Sequence, residues 1–280
     1  MASTIFAVGQ ARARAEAERQ AQISQAVADF LKNDVLASVG PAKAKSPEVN
    51  VRYILDTASG NIEEKFEHAP LVEASIRQTL GNTYLSLGEY KAAEPHLERA
   101  RQIRREQLGE EHPDTLTSMN NLGWLYMCQD RYDEAEQLLV RTLETRRRVL
   151  GEEHRDTLTS MNDLGWLYIR EGRYDEAEPL LVKTLEIRRR VLGEEHAETL
   201  RSMNSLGKLY FWEDRPDDEI EPLYVKALEI SRRVHGEDDV RTLYYMNALA
   251  ALYKGLGRYD EAEPLLVKAL DGYRRVLGEA

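Results

Sequence analysis

The apolar positions of residues 155–193 predict two consecutive amphipathic helices. In the first, apolar side chains recur every three or four positions, on one helical face: Leu158, Met161, Leu164, Leu167 and Tyr168. A polar break follows, and a second apolar run ends at Gly193, a residue type that often terminates helices. Asp175, with Glu178 three residues later, resembles a capping box at the start of the second helix. Neither helix is able to bury its apolar face alone, so the pattern predicts a helical hairpin that packs against neighbours.

This pattern returns at a fixed period. The segment Leu-Gly-Trp-Leu-Tyr at 122–126 recurs at 164–168, 42 residues later, and weaker copies begin at Leu80, Leu206 and Leu249. Self-similarity at such a period is typical of a repeat array. The sequence therefore predicts an all-α solenoid of stacked antiparallel helix pairs over 70–280, with five repeats at 70–111, 112–153, 154–195, 196–238 and 239–280.

The segment before the array predicts a helix, a linker and a capping helix. Residues 10–36 have a helical pattern, and a glycine- and proline-containing linker follows, which gives an N-terminal region at 1–47. A second helical pattern at 51–66, within a capping region at 48–69, is weakened by Ser59-Gly60-Asn61. We expect it to cover the open face of the first repeat.

Composition narrows the possible functions. The formal charge is -11, which argues against nonspecific binding to nucleic acid. Cys128 is the single cysteine, so neither a disulfide framework nor a cysteine-based metal site is expected. No apolar run is long enough to insert into a membrane, and the first residues lack the features of a signal peptide. We expect a cytoplasmic location, with attachment to a membrane protein in a longer chain left open.

Two repeated features have ordinary structural interpretations. His112, His154 and His196 recur every 42 residues, but successive copies would lie too far apart to share a metal ion. We interpret them as helix-start residues. The arginine runs at 146–148 and 188–190 fall in the last turns of second helices, where cations offset the helix dipole. No catalytic, cofactor or metal motif is found, so an enzyme is not expected.

Leu-Gly-x-x-Tyr followed by Gly-Arg-Tyr-Asp-Glu-Ala, as at 172–177, resembles the tetratricopeptide repeat. The 42-residue length and the closing Arg-Arg-Arg-Val-Leu-Gly-Glu-Glu-His at 188–196 resemble the longer variant of kinesin light chains. The resemblance covers 70–280. It implies a right-handed superhelix whose concave side binds extended peptides.

The N-terminal part resembles a second context. Residues 25–31 and 71–77 are similar to segments that follow the membrane helix in bacterial serine/threonine kinases ending in tetratricopeptide arrays. On that interpretation residues 3–9 would be the tail of a membrane helix. No glycine-rich loop or kinase catalytic loop is present, so the resemblance does not extend to kinase activity.

The family geometry implies that certain first-helix positions face the concave groove. Two residues before each Leu-Gly or its equivalent, one register carries side-chain amides: Gln78, Asn120, Asn162, Asn204 and Asn247. Such amides are able to pair with both the N–H and C=O groups of a peptide backbone. The alternative is that each amide bonds to a neighbouring repeat and fixes the stack.

The other candidate groove residues are aromatic or basic. The three tryptophans, Trp124, Trp166 and Trp212, fall on the predicted concave wall, although indoles also pack between helices. The remaining candidates are Phe211, Tyr244, Arg170, Arg201, Lys208 and Lys254. No acidic residue occupies the first-helix positions that are predicted to face the concave groove. This predicts a protein or peptide ligand with an apolar anchor and acidic flanks.

The sequence thus predicts a noncatalytic protein-interaction module that binds an extended peptide or partner segment. Two alternatives stay open: a docking or sensory tail of a membrane-bound kinase, and a scaffold that self-assembles through its uncapped ends. Residues 10–36 would act as an autoinhibitory segment if they occupied the groove.

Overall fold

The computed structural model describes residues 2–36, 51–60 and 62–278, and within these ranges every regular element is helical. The predicted linker at 40–47 lies outside them. The elements are α1 Ala2–Phe30, a π-helix Leu31–Leu36, α2 Val51–Ser59, α3 Ile62–Lys65, α4 Pro70–Ser86, α5 Tyr90–Leu108, α6 Pro113–Cys128, α7 Tyr132–Leu150, α8 Arg155–Arg170, α9 Tyr174–Leu192, α10 Ala197–Trp212, α11 Asp217–His235, α12 Val240–Gly255 and α13 Tyr259–Leu277.

The helices of the repeats pack in chain order within two compact units, Met1–Leu138 and Leu139–Ala280. In the first unit α4 packs on α5, and α5 on α6. In the second unit each helix from α8 to α13 packs on the next one along the chain. This order is that of stacked helical hairpins, so the all-α, solenoid-type fold class is confirmed.

The two helices of a hairpin approach closely at the glycine of Leu-Gly. A Cβ on Gly165 would lie 2.8 Å from the side chain of Leu181 on α9, and one on Gly207 would lie 2.5 Å from the ring of Tyr224. Glycine inside a helix is unfavourable by itself. It is needed here because a larger residue would push the paired helices apart.

A tyrosine, an arginine and a glutamate link successive hairpins. The hydroxyl of Tyr253 donates to Glu221 on the preceding second helix at 2.6 Å. The guanidinium of Arg258 stacks over the Tyr253 ring, 4.3 Å from its centroid, and pairs with Glu221 at 2.7 Å. Tyr126 and Arg131 repeat the stacking at 3.9 Å. Tyr126 and Tyr253 are therefore buried against neighbours through the ring and fixed at the hydroxyl, which in Tyr126 donates to Glu98 at 3.2 Å.

The three repeated histidines are N-caps. The Nδ1 atoms of His112, His154 and His196 each accept a hydrogen bond, at 3.2 Å, from the backbone N–H two residues further on. In the last repeat a carboxylate oxygen of Asp239 does the same at 2.9 Å. The helix-start interpretation is confirmed, and capping satisfies a backbone donor that the helix itself leaves unpaired.

The prediction that Asp175 caps α9 is wrong. The helix begins at Tyr174, and its N-cap residue Arg173 makes no side-chain capping bond. Asp175 lies inside the first turn, where its negative charge offsets the helix dipole. Glu176 in the same turn accepts hydrogen bonds from two nitrogens of the Arg173 guanidinium, Nε at 2.7 Å and Nη2 at 2.8 Å.

The dipole interpretation is also wrong for Arg188. Its side chain is fully buried and donates to the carbonyl of Glu198 at 3.1 Å and to the hydroxyl of Ser202 at 2.8 Å, both on α10. It also pairs with the Glu198 carboxylate at 2.8 Å. Arg146 makes the equivalent bonds to Asp156 and Ser160. These arginines connect one hairpin to the next, because a buried guanidinium needs fixed acceptors.

The N-terminal helices cover the first repeat. Leu55 and Ala58 of α2 and Ile62 of α3 are buried, and Tyr84 on α4 donates to Asp56 at 2.6 Å. The helical pattern at 51–66 is interrupted where the sequence weakened it, between α2 and α3.

Helix α1 contacts the first helices of two repeats. It packs on α4, and Gln20 donates to Asp114 at the start of α6 at 3.0 Å. Its possible autoinhibitory role stays a prediction. None of the described helices has the length and apolar character that a membrane span requires.

The fourth hairpin turn contains one extra residue. Asp214 adopts a positive φ of 56°, as glycines do at Gly172 and Gly257, and Arg215 then stacks over Tyr210 at 4.1 Å, as the arginine does in other repeats. The extra residue is Pro216, which becomes the N-cap position of α11. The turn therefore differs only after Arg215.

We predict that Asp214→Gly stabilises the chain. A left-handed backbone is unfavourable for a residue with a Cβ, so the gain in unfolding free energy should be on the order of 1 kcal/mol. Chemical denaturation, which unfolds the helices of the second unit, measures this gain in unfolding free energy. Gly172→Asp, at the equivalent turn, is the matched control and should lose a similar amount. A destabilised Asp214→Gly would contradict the argument.

We predict that His96 makes the first unit less stable as the pH falls. Burial lowers the pKa of His96 to about 4, and the nearby Arg77 adds to the shift. The unfolded chain, with a histidine pKa of about 6.5, binds more protons between pH ~6.5 and ~4, so folding stability decreases on acidification through this window. His96→Leu introduces the leucine that the third repeat carries at the equivalent position, Leu180. In this variant the folding stability should change less with pH.

Thermal unfolding at a series of pH values measures this effect. His68→Gln, a change at an exposed histidine, is the control. An unchanged pH profile in His96→Leu would show that another group is responsible.

Candidate functional site

A pocket opens on the first-helix face of the second unit. Its volume is about 920 Å³, and residues of α8, α10 and α12 line it, together with Tyr224 of α11 and residues of the α8–α9 turn and the start of α9. Seven of the predicted groove residues line it: Trp166, Arg170, Lys208, Phe211, Trp212, Tyr244 and Asn247. These seven come from all three first helices of the second unit.

Small residues on α12 create the space. The position that carries Trp124 and Trp166 in the second and third repeats carries Ala251 in the fifth, and Ala248 stands beside it. Both alanines line the pocket. The cavity occurs where the array departs from its own repeat pattern.

Trp166 forms one fixed wall of the pocket. Its indole N–H donates to the hydroxyl of Ser205 on α10 at 3.0 Å, so the ring also joins two first helices. The amine of Lys208 lies 4.7 Å from the centre of this ring. Burial lowers the pKa of Lys208, whereas the ring face favours the charged amine. Trp166 thus packs between two first helices and also lines the pocket.

Aromatic rings form the other walls. Phe211 packs against Gly255, where a Cβ would lie 2.5 Å from the ring, and its ring meets Trp212 edge-on at 5.9 Å. Trp212 is 59% exposed, the most accessible of the pocket tryptophans. Tyr244 accepts a hydrogen bond from the amide of Asn204 at 3.0 Å. Burial raises the pKa of Tyr244, so its hydroxyl stays protonated at neutral pH.

The side-chain amides are mostly buried. Gln78, Asn120, Asn162 and Asn204 are between 2% and 7% exposed, whereas Asn247 is half-buried and lines the pocket. The oxygens of Asn162 and Asn204 accept no hydrogen bond from the described residues.

Gln78 in the first unit acts as a structural link. Its oxygen accepts from Arg104 at 3.2 Å and from Ser118 at 2.9 Å. Pairing of these amides with a ligand backbone stays a prediction.

Three other candidates lie away from the pocket walls. Arg201 pairs with Glu198 at 2.8 Å and is not in the lining, and Lys254 is exposed outside it. Trp124 is half-buried and belongs to the first unit.

Several lining residues are not predicted from the sequence. Tyr224 comes from a second helix and replaces the leucine found at Leu97 and Leu181, a change that is visible in the repeat pattern. Glu171, from the α8–α9 turn, and Tyr174, the first residue of α9, also line the pocket, and Glu171 pairs with Arg173 at 3.0 Å. No group of three or more potential metal-binding side chains occurs in the part of the chain that the structure describes.

The family model of the tetratricopeptide repeat matches residues 72–139, 125–181, 167–218 and 217–275. These matches span most of the chain, and the chain belongs to the tetratricopeptide repeat family. A comparison with curated proteins gave no match.

Solved structures share the fold. A Podosopora anserina protein described as a kinesin light chain with nearly identical TPR-like repeats is 26% identical, covers 75% of this chain and 98% of its own, and has a TM-score of 0.59. BtubC (BKLC) from P. vanneervenii is 23% identical over 83% of this chain and 94% of its own, with a TM-score of 0.63. The structure of NprR in complex with its cognate peptide NprX is 15% identical, covers 93% of this chain and 68% of its own, and has a TM-score of 0.63.

Proposed function

We propose that the chain binds an extended peptide segment of a partner protein and that an apolar side chain of this segment occupies the pocket of the second unit. The observation that carries the proposal is the cavity left where Ala251 replaces the tryptophan of earlier repeats. A space of about 920 Å³ bounded by aromatic rings is large enough for a large apolar side chain and its neighbours in a peptide.

The size and lining of the pocket support an anchor of this kind. Ligand pockets commonly measure about 300–1,000 Å³ and are mainly apolar with a few polar groups. An aromatic side chain buries roughly 150–250 Å². At about 25 cal/mol per Å², its burial contributes several kcal/mol, enough to offset part of the entropy lost on association.

The charges at the pocket favour acidic residues beside the anchor. Lys208 and Arg170 line the pocket, and among the described residues no carboxylate pairs with Lys208, whose pKa is lowered by burial alone. Glu171 also lines it, but its charge is offset by Arg173. An acidic flank of the peptide would give the Lys208 amine a partner, and complementary charges speed encounter.

Asn247 is the amide best placed to bind the peptide backbone. It is accessible in the pocket, and its side chain offers both a donor and an acceptor. Asn204 would join it if Tyr244, which covers it, moved. The complex of NprR with NprX is an example of a peptide bound by a protein of this fold. Because NprR is only 15% identical to this chain, its complex supports only the statement that a protein of this fold is able to bind a peptide.

The kinase-tail and self-assembly hypotheses stay predictions. Docking as part of a membrane-bound kinase depends on segments beyond this sequence, and a noncatalytic role agrees with the interaction roles of the family. Peptide binding is preferred because it accounts for the pocket.

We predict that Ala251→Trp blocks peptide binding and leaves the fold intact. The added indole would take up space in the pocket, because Ala251 stands at the position that carries Trp124 and Trp166 in their repeats. The affinity for the peptide should therefore fall by at least roughly tenfold. The probe is a peptide selected on the chain from a displayed random library, measured by fluorescence polarisation. Circular dichroism checks the helix content.

The matched control is Ala197→Trp, which adds an indole at an exposed position at the start of α10. It should bind the probe as the unchanged chain does. Failure of the library to yield any peptide, or equal binding by Ala251→Trp, would overturn the proposed site.

We predict that Lys208→Glu reverses the preference for acidic peptides. A carboxylate in place of the amine would repel an acidic flank, and affinity for the selected peptide should drop roughly tenfold, about 1.4 kcal/mol. The same polarisation measurement at two salt concentrations should show a weaker salt dependence than in the unchanged chain. Lys226→Glu on α11, whose amine pairs with Glu194 outside the pocket, is the control. Unchanged affinity in Lys208→Glu would contradict the assigned electrostatic role.

A further inference from the structure

Tyr224 brings to the pocket a hydroxyl that has no hydrogen-bond partner among the described residues. The residue is 5% exposed, and its ring packs on α10, where a Cβ on Gly207 would lie 2.5 Å from it. The equivalent residues of α5 and α9, Leu97 and Leu181, carry no polar group. A buried hydroxyl without a partner is unfavourable, so a ligand that accepts its hydrogen bond is stabilised by that contact.

Two more donors of the pocket lack an acceptor within the part of the chain that the structure describes. The amine of Lys208 pairs with no carboxylate there, and Lys208 directly follows Gly207, at the turn of α10 on which Tyr224 packs. The hydroxyl of Tyr244 accepts from the amide of Asn204, which leaves its own proton unpaired. Burial raises the pKa of both pocket tyrosines, so each hydroxyl keeps its proton and acts as a donor at neutral pH.

The lining of the pocket carries a net positive charge. Arg170 and Lys208 stand against Glu171, the single carboxylate among the lining residues that the structure describes. Arg173 holds Glu171 at 3.0 Å, and none of the three donors bonds to it. A negatively charged occupant therefore complements both the charge and the unpaired donors of the pocket.

The rest of the lining suits a planar ring. Trp166, Phe211 and Trp212 supply aromatic surfaces, against which a further ring is able to stack or pack edge-on. Ala251 stands at the position that carries an indole in the second and third repeats. The volume of about 920 Å³ is typical of a site for a small molecule.

We propose that the pocket is also a binding site for a free aromatic carboxylic acid, whose ring packs on Trp166 and Phe211 and whose carboxylate accepts hydrogen bonds from Lys208 and Tyr224. A carboxylate next to the amine favours its charged form and so offsets the effect of burial. The bond from the charged amine is also stronger than one between neutral groups.

The acid and the apolar anchor of a partner peptide would occupy the same space. A small molecule would therefore control whether the peptide enters the pocket. This inference goes beyond peptide binding, because the acid needs only groups inside the pocket. Either proposal is able to fail alone.

Titration of the whole chain with indole-3-acetate, followed by ligand-observed NMR, tests the inference. We expect a dissociation constant of roughly 1 mM or tighter, since the ligand has about 13 non-hydrogen atoms. Indole-3-acetamide has the same shape without the charge and should bind at least roughly tenfold more weakly. In fluorescence polarisation, indole-3-acetate should displace a peptide selected on the chain.

Three substitutions separate the contacts. Tyr224→Phe removes only the hydroxyl and should weaken binding of the acid roughly three- to tenfold. Lys208→Gln should remove the preference for the acid over the amide, a ratio that a purely structural role would not change. Ala251→Trp should abolish binding by occupying the space.

Tyr245→Phe is the matched control. It removes the hydroxyl of another buried tyrosine of α12, which does not line the pocket, and should leave the affinity for the acid unchanged. Circular dichroism checks the helix content of each variant.

The inference is overturned if indole-3-acetate does not bind up to ~10 mM, if acid and amide bind equally, or if binding survives Ala251→Trp. Equal affinity of Tyr224→Phe and the unchanged chain would overturn the contact with the hydroxyl. A chain that binds the acid but yields no peptide from the library would support this site and contradict the proposed function. Peptide binding without binding of the acid would do the reverse.

Discussion

The close approach of paired helices at the Leu-Gly position is the contact on which the rest of the structure depends. With hydrogen in place of a side chain at Gly165, the side chain of Leu181 packs directly on α8. This contact holds the hairpin together, and each hairpin then presents an apolar face to the next one. Buried arginines such as Arg188 and the Tyr–Arg–Glu groups fix the spacing between neighbours.

A framework held together in this way tolerates change at the positions that do not maintain the stack. The fourth and fifth repeats keep the leucines, glycines and cap residues or close substitutes, yet differ at Lys208, Tyr224 and Ala251. These differences make a pocket without altering the order of helix packing. The pocket in this chain therefore lies where one repeat differs from another.

Two predictions from the sequence are wrong, one because of a local turn and one because of contacts with the next hairpin. Asp175 matched a capping pattern, but the turn before it places Tyr174 at the start of the helix. Arg188 matched the rule for cations at helix ends, yet it points into the gap between hairpins and is fully buried. The amide register was located correctly on the first helices, but sequence alone gave no sign that Tyr244 covers Asn204.

The helices, the core leucines and the histidine caps could be predicted from the sequence, because each depends on local periodicity or on a bond within a few residues. Seven of the residues that line the pocket follow the same period along the first helices. That these residues share one cavity, that Tyr224 joins them from a second helix, and that most of the amides are buried depends on the tertiary structure. These features arise from the distances between helices that are tens of residues apart in the chain, and no local pattern records those distances.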